Sequence, residues 1–310
     1  MSSPQKTQVI ADNLIQPFQM AEAGVRGRVV RLGSVVDDIL NRHAYPESVA
    51  RMLGECLVLA SMLGGALKFD GIFTVQSKGD GPISMLAADM STPGDLRGYA
   101  AFDPEKLEAA ADKLAQAVVP RLLGKGYIAF TIDPRKDPEN RYQGIVALEG
   151  DSLAECMENY FARSEQIETR LKVSVAKQDG RWRAGGLMIQ RLPEDSGLMV
   201  RQETAEEHWR NAEALASTVT DEELTHTRLR ASELLYRLFH EDGVWLYDVV
   251  ELQDKCSCSR ERVLNTLISF SPENVDEMAD DGQIQVDCQF CSAQYVITVD
   301  QVNDARPTAS

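Results

Sequence analysis

Positive charge is scarce in this 310-residue sequence: 32 Lys and Arg stand against 48 Asp and Glu, for a formal net charge of −16 and a pI of about 4.7. Phosphate backbones are held by clustered basic side chains, so a polyanion such as nucleic acid is a poor partner for so acidic a chain. The same charge favours a protein that repels its own copies and stays dispersed. Long apolar runs are missing too. The longest, "LVLASMLGGAL" from Leu57 to Leu67, contains two glycines and falls short of the ~18 residues a membrane span needs. The opening "MSSPQKTQVIADN" lacks the basic-then-apolar pattern of a secretory signal. These absences lead us to expect a cytoplasmic protein without a membrane partner. Histidine is sparse, with His43, His208, His226 and His240 alone, and none is followed by x-E, as a zinc deaminase would require. Gly79-Asp80-Gly81 is not followed by Gly-Lys-Ser/Thr, so it is a turn and not a phosphate loop. Repeats are absent, and the one biased stretch is the polar tail "NDARPTAS".

Length suggests about two domains, and 44% hydrophobic residues make a globular composition. Residues 7–192 alternate strand and helix patterns and predict an α+β core domain. Glu47 opens a helix with Pro46 in its first turn, and Met52, Cys56, Leu59, Ala60 and Leu63 recur on one buried face. "GIFTVQS" and "PISMLAAD" form a hairpin through Gly79-Asp80-Gly81, and a second hairpin turns at Asp179-Gly180. "AGGLM", from Ala184 to Met188, predicts a bulge or kink. Residues 193–250 are helical and acidic, a linker in which Thr220 and Glu223 fit a capping box and Gly243 is a helix stop. "VWLYDVV" predicts one short strand. Residues 251–310 hold a helix capped by Ser259, a shorter one opened by Ser271-Pro272, and the arms "GQIQVD" and "AQYVITV" of a hairpin.

Six cysteines are present, and in a reducing compartment structural disulfides are not their default use. Cys56 and Cys156 lie among apolar neighbours and predict inert buried thiols. The other four are paired: Cys256 and Cys258 in C-x-C, then 29 residues, then Cys288 and Cys291 in C-x-x-C. Two tight turns, each offering two sulfurs, are the supply for a tetrahedral four-thiolate zinc site. Residues 251–310 have few apolar residues, among them Val263, Leu264, Leu267, Ile284, Val286 and Tyr295. A core that small needs a staple, and zinc can contribute on the order of 10–16 kcal/mol to folding such a module. A static zinc ribbon is the plain alternative. Residues 256–310 carry three basic residues against nine acidic, which speaks against a ribbon that binds nucleic acid. Four thiolates leave no open position for a catalytic metal. Thiolates are also what oxidants attack. Each pair contains its own resolving partner, and the larger C-x-x-C ring should close more readily than the C-x-C ring.

The sequence resembles the redox-regulated holdase chaperones of the heat-shock protein 33 family. Beside the two cysteine pairs, the resemblance runs through "HAYPESVARMLGECLVLASMLGGALKFDG", "TVQSKGDGPISML", "YQGIVALEG", "YFARSEQIETRL", "AGGLMIQRLP" and "LLYRLFHEDGVWLYD", in one order over most of residues 10–300. It implies an α+β core domain, a helical linker and a C-terminal zinc domain. It implies one Zn2+ on Cys256, Cys258, Cys288 and Cys291 in an inactive reduced form. It also implies oxidation to Cys256–Cys258 and Cys288–Cys291 disulfides, loss of zinc, unfolding of zinc domain and linker, dimerisation, and ATP-independent binding of unfolded or oxidatively damaged clients during stress. No residue is assigned to catalysis. On this view the linker is a metastable switch whose Leu215, Leu224, Leu234, Leu235, Leu238 and Phe239 become a client surface once their packing neighbours are lost. An enzyme, or an adaptor, with a purely structural zinc ribbon is the alternative.

Overall fold

A computed structural model describes residues 12–20, 23–66, 70–111, 117–192 and 202–306. The chain forms two compact units, Met1–Asp254 and Lys255–Ser310. The start expected for the core domain (7–11), the beginning of the linker (193–201) and the last four residues of the tail lie outside the described residues, as does Leu67. Among the described residues no helix is long and apolar enough to cross a membrane.

The first unit is α+β and holds two six-stranded sheets. Strands β1 (Asn13–Met20) and β2 (Val25–Leu32) belong to the first sheet. Helices α1 (Ser34–Asn41) and α2 (Glu47–Gly64) follow, then β3 (Gly71–Gly79), β4 (Ile83–Ser91) and β5 (Asp95–Phe102) of the second sheet. After α3 (Pro104–Ala111) and α4 (Val118–Leu122), β6 (Gly126–Pro134) and β7 (Tyr142–Ala147) complete that sheet's main body. Helix α5 (Leu153–Tyr160) runs into a π-helical turn, Phe161–Glu165, and leads to β8 (Thr169–Gln178) and β9 (Arg181–Arg191), which return to the first sheet. Asp179 and Gly180 turn this hairpin with φ of 51° and 78°, the paired left-handed conformation that an Asp-Gly turn supplies.

Helix α2 carries much of the core. We expected one buried face; instead Val49, Ala50, Met52, Leu53, Cys56, Leu57, Val58, Leu59, Ala60 and Met62 are all buried, because α2 packs on strands of both sheets. A helix that is apolar all round is one with neighbours all round. Pro46 is its N-cap, one place before the position expected. Strand β9 runs without a register shift against both β2 and β8, so "AGGLM" is neither bulge nor kink. Its glycines serve close approach: a Cβ on Gly185 would stand 2.1 Å from the Leu224 carbonyl oxygen, and one on Gly186 2.3 Å from Met62 Cε.

Helices α6 (Gln202–Ser217), α7 (Asp221–Thr225) and α8 (Ala231–Phe239) cover the outer face of the first sheet. Thr220 closes the capping box with Glu223 as expected, whereas α8 ends at Phe239 with His240 as its C-cap, short of Gly243. The chain then lies along the sheet edges. The single strand expected in "VWLYDVV" is two short ones, β10 (Trp245–Leu246) and β11 (Val250–Glu251), both paired with β1. Pro17 interrupts the ladder because it has no N–H to give. The Tyr247 N–H donates to the Pro17 carbonyl at 3.1 Å, and Gln16 Nε2 donates to the Tyr247 carbonyl at 2.7 Å. Strand β12 (Gln253–Asp254) pairs parallel with β5, and Arg42 forms an ion pair with Asp254.

The second unit contains α9 (Arg260–Ile268), α10 (Pro272–Met278), the hairpin of β13 (Gln283–Asp287) and β14 (Gln294–Thr298), and α11 (Val299–Asp304). Its buried core is Leu267, Val275, Ile284, Ile297 and Val302. Val263, Leu264 and Val286, expected inside, are only partly buried against it.

Glu55 of α2 yields a pH prediction. The residue as a whole is only partly buried, but its carboxyl group is almost wholly so. Desolvation pushes it up to about 7, against the hydrogen bonds from the backbone N–H groups of Ala154 and Leu153. A raised folded-state value means stability that is complete below the ordinary carboxyl range and lost as pH rises through about 7. Glu55→Gln keeps an acceptor and removes the titration. Its melting temperature relative to the unaltered protein should climb between pH 5 and pH 8, by the equivalent of up to ~3 kcal/mol; a difference constant with pH would contradict the assignment.

Candidate metal centre

Two short loops build the site. Cys256 and Cys258 lie just before α9, whose N-cap Ser259 accepts a hydrogen bond from Arg262 N–H. Cys288 and Cys291 lie in the β13–β14 connection. There Cys288 N–H donates to the Ala293 carbonyl at 2.9 Å and Ser292 N–H to the Cys288 carbonyl at 2.8 Å. Ser292 takes φ +59° to close that knuckle. Arg260, the first residue of α9, ties that helix to β14 and α11, donating to the Val296 carbonyl at 2.6 Å and to Gln301 Oε1 at 2.7 Å. Arg262 Nη1 donates to Ser257 Oγ at 2.8 Å.

The four sulfurs all lie within 4.8 Å of one another. Cys256 and Cys288 approach to 3.7 Å, and Cys258 and Cys291 to 3.3 Å. Four thiolates about 2.3 Å from one tetrahedral ion would be spaced about 3.8 Å apart, so the donor set fits a thiophilic divalent cation. All four are free thiols. Burial pushes Cys258 up, partly offset by the hydroxyl of Tyr295, which donates to its sulfur at 3.1 Å. Burial and the neighbouring thiols push Cys291 up to about 12. Without a cation Cys258 and Cys291 therefore resist ionisation, and a divalent ion at the centre of the cluster would reverse that balance. Among the described residues no other His, Cys, Asp or Glu group of three or more converges in this way.

Cys56 and Cys156 are buried in the main core. Desolvation raises both thiols, Cys156 to about 12, which suits inert packing. His240 Nδ1 lies 3.1 Å from the Tyr236 carbonyl at the end of α8, the helix-end role expected of it. The six proposed switch residues share one cluster. Leu224, Leu234, Leu235 and Phe239 are buried, Leu215 and Leu238 partly so, against Leu14, Phe18, Val25, Val29, Leu187 and Ile189 of the first sheet. Phe239 stacks on Phe18 at 5.8 Å.

Two features escaped the sequence. One is the Tyr295 hydroxyl on Cys258; its place four residues beyond the second cysteine pair was the available signal. The other is a clamp on the end of α7. Arg31, 3% exposed, donates to the carbonyls of Glu223 and His226 at 2.9 Å each and of Leu224 at 3.3 Å. Arg183 Nε donates to the Thr225 carbonyl at 3.0 Å, and Gln178 Nε2 to Thr225 Oγ1 at 2.8 Å. An arginine inside the apolar "VVRL" that ends β2 was the hint.

A family model described as Hsp33 protein matches residues 13–298. The chain belongs to the Hsp33 family. Among curated relatives, a 33 kDa chaperonin of Caulobacter vibrioides is 43% identical over 291 residues, covering 92% of this chain and 95% of the relative. A 33 kDa chaperonin of Enterobacter sp. is 40% identical over 294 residues, covering 94% of each. A crystal structure of the 33 kDa chaperonin (heat shock protein 33 homolog) of Thermotoga maritima superposes with a TM-score of 0.79 at 24% identity, covering 94% of this chain and 97% of that one. It supports the α+β fold.

The site makes a spectroscopic prediction. Added Co2+ should give the bands of a tetrahedral thiolate complex at one ion per chain, and Cys256→Ser should lose them. Tyr295→Phe should keep the spectrum but weaken affinity by roughly tenfold. An unchanged affinity would remove Tyr295 from the site.

Proposed function

We propose that this chain is an ATP-independent holdase chaperone switched on by oxidation, with Zn2+ on Cys256, Cys258, Cys288 and Cys291 in its reduced, inactive state. The observation that carries the reading is the convergence of four free thiols in a unit whose buried core is five side chains. Membership of the Hsp33 family and the chaperonin names of the relatives support chaperone activity and speak against an enzyme. The division of labour is a core domain (7–192), a linker (193–250) and a zinc domain (251–310).

Cys256 and Cys258 on one loop and Cys288 and Cys291 on the other would hold the metal, which would cross-link two loops that have little else to hold them. Each thiol pair can give two electrons and two protons to one molecule of hydrogen peroxide, forming one S–S bond and two waters. The pairs in this reading are Cys256–Cys258 and Cys288–Cys291. In the reduced site Cys256 approaches Cys288 and Cys258 approaches Cys291 from different loops, and a tetrahedral cluster favours no pairing by distance alone. Sequence neighbours stay together when the loops separate, which favours disulfides within each pair. Bonded sulfurs are no longer thiolate donors, so they would no longer hold Zn2+ and the small domain would lose its staple.

The linker follows because it is only moderately secured. Helices α6–α8 lean on the first sheet through a cluster separate from the main core, and segment 245–254 joins them to Cys256 through three strands of two residues each. Their release exposes Leu215, Leu224, Leu234, Leu235, Leu238 and Phe239 together with the sheet face that holds Phe18 and Ile189. That apolar area is adhesive toward unfolding chains, while the net charge of −16 keeps the complex dispersed. The oxidised form is a homodimer in the cytoplasm.

Hypochlorite or peroxide with mild warming should release one Zn2+ per chain and confer suppression of light scattering by a thermally unfolding enzyme. Dithiothreitol with zinc should reverse both. Metal retained after oxidation, or released with no gain of suppression, would contradict the proposal. Arg31→Met removes the clamp on α7 at a cost of about 2–4 kcal/mol. It should lower hydrogen-exchange protection in residues 221–239 and the oxidant needed for activity; an unchanged threshold would exclude the clamp from the switch.

A further inference from the structure

The alternation in β2 turns Arg26 and Arg28 toward the same side as Val30 and Leu32, which are buried in the main core. Arg28 pairs in register with Met188, and Arg26 with Gln190. With Phe73 and Phe130 of the second sheet, and Met157, Tyr160 and Phe161 of α5 and its π-helical turn, they line a cavity of about 310 Å³. The wall is aromatic: Phe73 stacks on Phe130 at 6.5 Å, Phe130 meets Tyr160 at 5.3 Å, and Tyr160 meets Phe161 at 5.5 Å. Interruptions of α-helix by π turns recur at binding sites.

Arg28 is the anomaly. Its Nε is buried with no hydrogen-bond partner, and among the described residues no carboxylate forms an ion pair with it. Burial, and then the like charge of Arg26, push it down to about 10, so it remains a cation at neutral pH. The carboxylate on the cavity wall, Glu165, is engaged elsewhere: Tyr160 donates to it at 2.5 Å and Tyr142 at 3.3 Å. A largely buried guanidinium facing an aromatic cavity without a counter-ion is costly unless an anion completes it.

We propose that this cavity binds a small amphiphilic carboxylate, with its headgroup on the Arg28 guanidinium and its apolar body between Phe73, Phe130 and Phe161. The guanidinium fork matches a planar carboxylate, whereas a dianionic phosphate would meet one buried cation and the nearby charge of Glu165. At the ~30 Å³ that a water-sized group occupies, the volume suits roughly ten non-hydrogen atoms. The site belongs to the core unit and does not depend on the redox reading.

Calorimetric titration of the reduced, zinc-loaded full chain with decanoate, decanol and decylamine, below their aggregation limits, tests it. Decanoate should saturate at one per chain, decanol should bind about tenfold or more weakly, and decylamine should not bind. Arg28→Met, which keeps the apolar stem, should erase the preference for decanoate over decanol. Met157→Trp, which fills the apolar end, should abolish binding of both. No saturable binding, equal affinity for all three ligands, or a preference that survives Arg28→Met overturns the proposal; the ligand series on the unaltered protein decides the matter if a variant does not fold.

Discussion

Four sulfur atoms brought within 4.8 Å of one another are the constraint on which the C-terminal unit depends. Leu267, Val275, Ile284, Ile297 and Val302 are its buried apolar side chains, too few to hold a unit of this size on their own. The rest of its order is local: N-caps at Ser259, Ser271 and Thr298, a hairpin of two five-residue strands, and Arg260 bridging from α9 to β14 and α11. Caps and bridges shape a fold that something else must hold closed. Cysteine suits that task because the same atom that binds a metal also reacts with oxidants, so structural support and chemical sensitivity reside in one group.

The core unit has a second constraint of different character. Two sheets enclose α2, and the outer face of the first sheet is apolar and must be covered. Helices α6–α8 cover it with Trp209, Leu224, Leu234, Leu235 and Phe239. Gly185 lets the backbone of α7 come close, and Arg31 holds it there through three carbonyls. The cover is secured by polar contacts to its backbone and by an apolar cluster separate from the main core, and in the proposed switch it lifts while that core stays in place. That is the physical requirement for a switch that leaves its scaffold standing.

Much of this was legible in the sequence. The cysteine spacing pointed to a four-thiol cluster, and the Asp179-Gly180 turn and the Ser259, Ser271 and Thr220 caps followed from local chemistry that has few alternatives. What was not legible depends on neighbours distant in the chain. Periodicity gave α2 one buried face because periodicity cannot know that a second sheet lies behind it. Gly185 and Gly186 suggested a bulge because the approach of Leu224 and Met62 is invisible from "AGGLM". Pro17 split the strand after Trp245 from more than two hundred residues away. The Arg31 clamp and the Arg28 cavity were missed for the same reason: charged residues in a strand declare their partners, or the lack of them, only when the sheets are assembled.

The proposed switch is an order of events: thiol oxidation, loss of the metal, loss of the small fold, lifting of the linker helices, adhesion. Hydrogen exchange resolved along the chain, sampled during oxidation with zinc release and client light scattering followed in the same vessel, tests it most directly. Protection in residues 255–306 should fall together with zinc release. Protection in 202–239 should fall next, and suppression of scattering should rise in step with that second loss. Suppression that reaches its full extent while 202–239 remain protected would contradict the account.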